Sequence, residues 1–135
     1  MQILMATNRS EDIFTRFCEA LRQEMGNVEL LFTNNWTNVL AAVKVMPPGF
    51  VILDQGLPEG EPLDLVRKLM SVNAAVNCIV ITDLDEESFH EAGEGLGIFA
   101  PLPVEPSFED GVALARSVNQ FMGARGWLPL HDPEP

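Results

Sequence analysis

Positive charge is scarce in this 135-residue sequence: eight Lys and Arg stand against twenty Asp and Glu, a formal net charge of −12. So acidic a surface repels phosphate backbones and anionic lipid over the distance that salt leaves unscreened, which excludes nucleic acid and membrane surfaces as expected partners. Cysteine is scarce as well. Cys18 and Cys78 lie far apart, and neither histidine stands at metal-ligand spacing from them, so a zinc site has no support and two buried, reduced thiols are expected. His90 and His131 have no nucleophile or acid at motif spacing and read as surface residues. No uncharged apolar run approaches membrane-spanning length, and the opening MQILMATNRSED carries no positive charge before its short apolar run. The expected localisation is cytoplasmic. Length and 47% hydrophobic content suit one folded domain.

What is present is an alternation of short apolar runs with helical patterns. Residues 2–6 (QILMA) read as a strand, and Ile13, Phe14, Phe17, Cys18, Leu21 and Met25 then recur at three- and four-residue spacing. After Gly26-Asn27, VELLF (28–32) is the next strand, followed by a helical face of Trp36, Val39, Leu40, Val43 and Met46 that Pro47-Pro48-Gly49 stops. FVILD (50–54) and CIVIT (78–82) are near-continuous apolar runs of the kind a strand covered on both faces requires. Leu63, Val66, Leu69 and Met70 give the helix between them. A fourth helix is expected over 84–92, capped by Asp83 with Glu86, then a fifth strand over GIFAPL (97–102). A last helix starts near Pro106 with Phe108, Val112, Ala115, Val118 and Met122 on one side, and Gly123 and Gly126 end it.

Five such units point to an α/β domain, a parallel sheet with helices on both faces, because right-handed crossovers leave few alternatives. The flavodoxin-like (βα)5 arrangement with strand order 2-1-3-4-5 leads. The domain is expected to span residues 1–122. The tail 123–135, with Pro129, Pro133 and Pro135, changes character and is a candidate for disorder; Trp127, Leu128 and Leu130 are expected to dock on the protein's own body.

Ligands of such sheets bind where the strands end and their order reverses, which gathers Thr7-Asn8, Asp54, Thr82 and Leu102-Pro103 on one rim. Asp54 holds the centre. A carboxylate closing an apolar strand is costly unless solvated, hydrogen-bonded or paired with a cation, so its placement suggests use, against the simpler reading of a turn cap. GEGLG (93–97) precedes a strand rather than following one, so no phosphate loop is expected.

VILDQGLP around Asp54, IVIT ending in Thr82, and Phe99 with Pro103 on the fifth strand together resemble the receiver domain of two-component response regulators, over about residues 2 to 122. The resemblance implies that Asp54 is the phosphoacceptor and that Thr82 contacts the phosphoryl group. It implies likewise that Phe99 is the aromatic switch and that Gly56 lends its carbonyl to a metal shell. The sequence departs from the family at two places. Thr7-Asn8 stand where receivers carry an acidic pair, so Mg2+ is expected to bind weakly. Leu102 stands where receivers carry the lysine before the fifth-strand proline; a shifted register over Val104-Glu105-Pro106 puts an acid there instead. Arg9 is a candidate charge substitute able to pair with Asp54, although an exposed arginine before the first helix is the favoured reading.

Between Leu69 and Ala115 the chain has nine acidic residues and no Lys or Arg. By resemblance this stretch forms the fourth-helix to fifth-helix face that receivers present to partners such as a histidine kinase or a downstream signalling protein. An ordinary solvated surface is the competing reading, since acids favour helix starts. With no residues after the tail for an output domain, output is expected to pass through protein contacts. The sequence is therefore read as a stand-alone receiver-like signalling module of two-component or phosphorelay pathways, not an enzyme, with phosphorylation at Asp54 impaired. The alternatives are a working phosphoreceiver whose metal site is rescued by Thr7, Asn8, Glu11 or Asp12, and a flavodoxin-like ligand binder or enzyme. The last lacks a glycine-rich loop after the first strand and any nucleophile with its base.

Overall fold

The structure, a computed structural model, describes residues 1–124. Strands β1 (Gln2–Ala6), β2 (Glu29–Thr33), β3 (Phe50–Leu53), β4 (Cys78–Ile81) and β5 (Ala100–Leu102) alternate with five helices. These are α1 (Thr15–Met25), α2 (Trp36–Val45), α3 (Pro62–Val72), α4 (Glu86–Ala92) and α5 (Phe108–Ala124), with a 3-10 turn over Glu11–Phe14 leading into α1. Every strand pair is parallel and the order is β2-β1-β3-β4-β5, the flavodoxin-like arrangement expected from the sequence.

Double coverage explains the unbroken apolar runs FVIL and CIVI, whose residues are all buried. Alternate side chains separate onto two faces. Ile3, Met5, Phe50, Ile52, Ile79 and Ile81 meet Phe14, Phe17 and Leu21 on the α1 side and Leu114, Ala115 and Val118 of α5. Leu4, Val51, Leu53 and Val80 meet Trp36, Val39 and Val43 of α2 and Leu65, Val66 and Leu69 of α3. The free thiols of Cys18 and Cys78 are buried, one on each face, as expected. A Cβ on Gly111 would lie 2.6 Å from the Phe17 carbonyl oxygen and 2.7 Å from the Ala20 Cβ, so the close approach of α5 to α1 depends on that glycine.

Helix α4 is held differently from its neighbours. Phe89 is its one buried residue, whereas α2 and α3 bury three and four. Since a fully buried apolar side chain contributes about 1.5–3 kcal/mol, α4 is the helix least secured by the core.

Several boundaries differ from expectation. Asp85, not Asp83, caps α4, accepting from the Ser88 amide at 2.7 Å, so the helix starts at Glu86. Strand β5 begins only at Ala100, because Gly95 and Gly97 adopt left-handed φ of 83° and 63° that interrupt an extended chain. Ile13 and Met46 were expected on buried faces. Ile13 instead lies in the 3-10 turn, 42% exposed, and Met46 follows α2, 70% exposed. Gly123 does not end α5, which continues through Ala124; an interior glycine costs only about 1 kcal/mol, and Phe121 and Met122 pack against the core there. Trp127, Leu128, Leu130 and His131 lie outside the described residues, and with them the expectation of a docked tail. Among the described residues no helix is long and apolar enough to cross a membrane.

Candidate functional site

The strand order reverses between β1 and β3, and the segments leaving those two strands form the site. Strand pairing runs past the last residue of each: the Thr7 amide donates to Thr33, and the Asp54 amide to Ala6. Thr7 and Asp54 are thereby fixed side by side, both buried, with Asp54 only 1% exposed. Beyond Thr7 the chain crosses the rim before Ser10 caps the 3-10 turn by accepting from the Asp12 amide. That crossing carries Arg9 over Asp54.

The Asp54 carboxylate receives four hydrogen bonds. Oδ2 accepts from the Thr7 hydroxyl at 2.6 Å and from Arg9 Nε at 2.8 Å, while Oδ1 accepts from Arg9 Nη2 at 3.0 Å and from the Gln55 amide at 2.8 Å. A carboxylate offers about four lone-pair directions, so this one is saturated. The Thr7 hydroxyl in turn accepts from the Arg9 amide at 3.1 Å, which turns the backbone so that the arginine side chain folds back over Asp54. Nη2 also donates to the Val104 carbonyl at 2.8 Å, and the guanidinium carbon lies 5.0 Å from the centroid of the Phe14 ring. Carboxylate, carbonyl and aromatic face together hold a cation whose side chain is 26% exposed.

This overturns the favoured reading of Arg9 as a free surface residue. Spacing along the chain could not reveal it, because two of its partners are made by the fold: Val104 contributes a backbone oxygen, and Phe14 a ring whose apolar spacing marked it only as core.

The remaining residues of interest divide between those the fold brings to Asp54 and those it does not. Asn8 and Gly56 line a cleft of about 260 Å³ with Arg9, Asp54, Gln55 and Val104. Gly56 has φ 81°, a left-handed conformation that suits glycine at the turn after β3. Thr82 continues β4 through its amide bond to Leu102, and its hydroxyl accepts from the Leu84 amide at 3.1 Å. Leu102, which the resemblance sets at the lysine position of receivers, is buried in the cluster beneath α1 and α5. Phe99 is far from Thr82. Its amide bonds to Cys78 at the start of β4, four positions or about 13 Å along the strand from Thr82. Its ring packs edge-on against Phe50 and Phe121, with centroids 4.9 and 5.2 Å away.

The donor set does not fit Mg2+. Thr7 and Asn8 are neutral, the one carboxylate is saturated, and a guanidinium already lies against both of its oxygens. Glu11 faces a separate cleft with Thr7, Asn8, Arg9, Asn34 and Asn38. Among the described residues no cluster of three or more His, Cys, Asp or Glu could hold a metal.

Solved structures share this architecture across nearly its whole extent. The bacteriophytochrome response regulator RtBRR matches with a TM-score of 0.71 at 19% identity, over 99% of this chain and 84% of its own. A response regulator receiver domain protein of Clostridium thermocellum matches with 0.70 at 17% identity, over 93% and 96%. The chemotaxis response regulator CheY4 of Vibrio cholerae matches with 0.70 at 15% identity, over 87% and 97%. This is the receiver fold. No protein-family model and no curated protein sequence matches the chain. At these identities the likeness is one of fold, and the chemistry of the rim rests on its own residues.

Proposed function

We propose that this chain is a receiver-type signalling module of two-component or phosphorelay pathways that works by binding another protein, with phosphorylation at Asp54 impaired. The saturated carboxylate carries the reading. To attack a phosphoryl donor, Asp54 must free a lone pair, yet each is engaged by Thr7, Arg9 or Gln55. A phosphoryl group would also bring roughly two negative charges to a rim with neither an acidic pair to hold Mg2+ nor a lysine at Leu102.

The contact surface in this proposal is the acidic face from α4 to α5. At its centre, Leu84, Phe89, Pro101, Leu102, Pro103 and Val104 line a mostly apolar groove of about 500 Å³. Asp83, Asp85, Glu86 and Glu87 stand beside it without a neighbouring Lys or Arg in the sequence. A partner that presents an apolar residue flanked by basic ones, on a histidine kinase or a downstream signalling protein, is complementary to this surface in charge and polarity.

One observation favours the rival reading of a working phosphoreceiver: Glu11 lies in the same cleft as Thr7 and Asn8, the positions of the missing acidic pair. Titration with Mg2+ and beryllofluoride, followed through the Gln55 and Asp54 amide resonances, separates the two. The proposal expects no saturable shift; a saturable shift at millimolar Mg2+ favours the rival.

A further inference from the structure

Val104 stands between two clefts. It lines the small one around Asp54 and also the apolar groove between α4 and β5. Arg9 Nη2 holds its carbonyl at 2.8 Å while the same nitrogen holds Asp54 Oδ1 at 3.0 Å, so both Nη2 hydrogens are engaged. The segment thus held follows a strand of only three residues, and Pro103 and Pro106 restrict its backbone on either side. With the backbone restricted on both sides, a bond at Val104 restrains the segment between the two prolines. Phe89 is the one buried residue of α4, and Leu84, which also lines the groove, is 45% exposed.

We infer that Arg9 is a positioning residue for the α4–β5 groove: by joining the Asp54 carboxylate to the Val104 carbonyl, it fixes the groove wall in one shape that depends on neither metal nor a phosphoryl group. Only the use of the groove by a partner rests on the function proposed above; the coupling itself is a property of the fold. The fork of the guanidinium is needed because it serves two acceptors on different segments at once. An ammonium keeps the charge beside Asp54 but not that planar two-sided reach.

Methyl and amide NMR on the full chain tests this with Arg9→Ala and Arg9→Lys. Both variants are expected to displace the methyl resonances of Leu84 and the amide resonance of Pro103's neighbour Leu102, neither of which hydrogen-bonds to Arg9, and to leave the methyl resonances of Val39 and Val43 on α2 at their wild-type positions. A general loss of packing would instead move all four, and would overturn the inference. So would Arg9→Ala shifts confined to residues 7–9, 54–56 and 104. Groove resonances that return to their wild-type positions in Arg9→Lys would assign the effect to charge alone and overturn the route through Val104. Phosphorylation of Asp54 in a separate assay would count against the proposed function without altering how these spectra are read.

Discussion

The Arg9 guanidinium and the Asp54 carboxylate meet edge to edge, Nε to Oδ2 at 2.8 Å and Nη2 to Oδ1 at 3.0 Å, with the carboxylate buried and the arginine side chain 26% exposed. Removing the arginine leaves a buried carboxylate that only Thr7 and the Gln55 amide still serve. Because water can reach the vacated side, Arg9→Ala is expected to destabilise the fold by about 2–3 kcal/mol, toward the lower end for a broken buried pair. Urea unfolding measures this. A double-mutant cycle with Asp54→Asn is expected to return a coupling of about 1–3 kcal/mol, whereas additive losses would mean that the two residues stabilise the fold separately.

Gly111 gives a prediction independent of the site. An added Cβ meets the Phe17 carbonyl oxygen and the Ala20 Cβ at distances real Cβ atoms do not tolerate, so α5 must lift from α1. Gly111→Ala is expected to lose about 1–3 kcal/mol despite alanine's better helix propensity. A thermal midpoint equal to or above wild type would show that the helices can separate freely there.

The sequence conveyed the sheet well, for a physical reason. Strands covered on both faces must be apolar throughout, and FVIL and CIVI carry that requirement in plain view. Side-chain direction was harder to read. The motif gives Phe99 its place in the order of residues, but the register of β5 decides which layer its ring enters, and the ring packs with Phe50 and Phe121 away from Thr82. The two candidate caps Asp83 and Asp85 differ by two positions, and only the geometry at Ser88 chooses between them. Arg9 was visible as a charge near the rim. Its fixed position was not, because Val104 and Gln55 engage the pair through backbone atoms that any sequence would supply.

The buried thiols set an alkaline limit on stability. Burial pushes Cys78 up from the ordinary value of 9.0 to about 12 and also raises Cys18. The folded chain keeps these protons where the unfolded chain loses them. Stability is therefore whole below pH 9 and falls between pH 9 and about 12, for Cys78 by up to about 1.4 kcal/mol per pH unit. Denaturant titrations across that range are expected to decline, and Cys78→Ala to decline less steeply. At pH 8 native Cys78 is expected to resist iodoacetamide until the chain unfolds; rapid native labelling would contradict its burial.

Helix α4 should respond to acid. The amide of Ser88 and its side chain, both bonding to Asp85, hold that carboxyl below its ordinary value. The cap's contribution is present above the ordinary carboxylate range and is lost as pH falls through the lowered value. Hydrogen exchange at Ser88 and Phe89 is expected to gain protection less at acid pH than elsewhere in the fold, and Asp85→Ala to abolish that difference. A pH-independent pattern in wild type would rule out the cap as the controlling contact.

In the function proposed, Asp54 serves as the buried partner of Arg9 and not as a free nucleophile. Intact-mass measurement after incubation with acetyl phosphate and Mg2+ tests it most directly, with a phosphorylating receiver run alongside and Asp54→Asn as the site control. The mass of this chain is expected to stay unmodified while the companion receiver gains a phosphoryl group. A phosphoryl adduct that forms to a comparable extent and disappears in Asp54→Asn would contradict it.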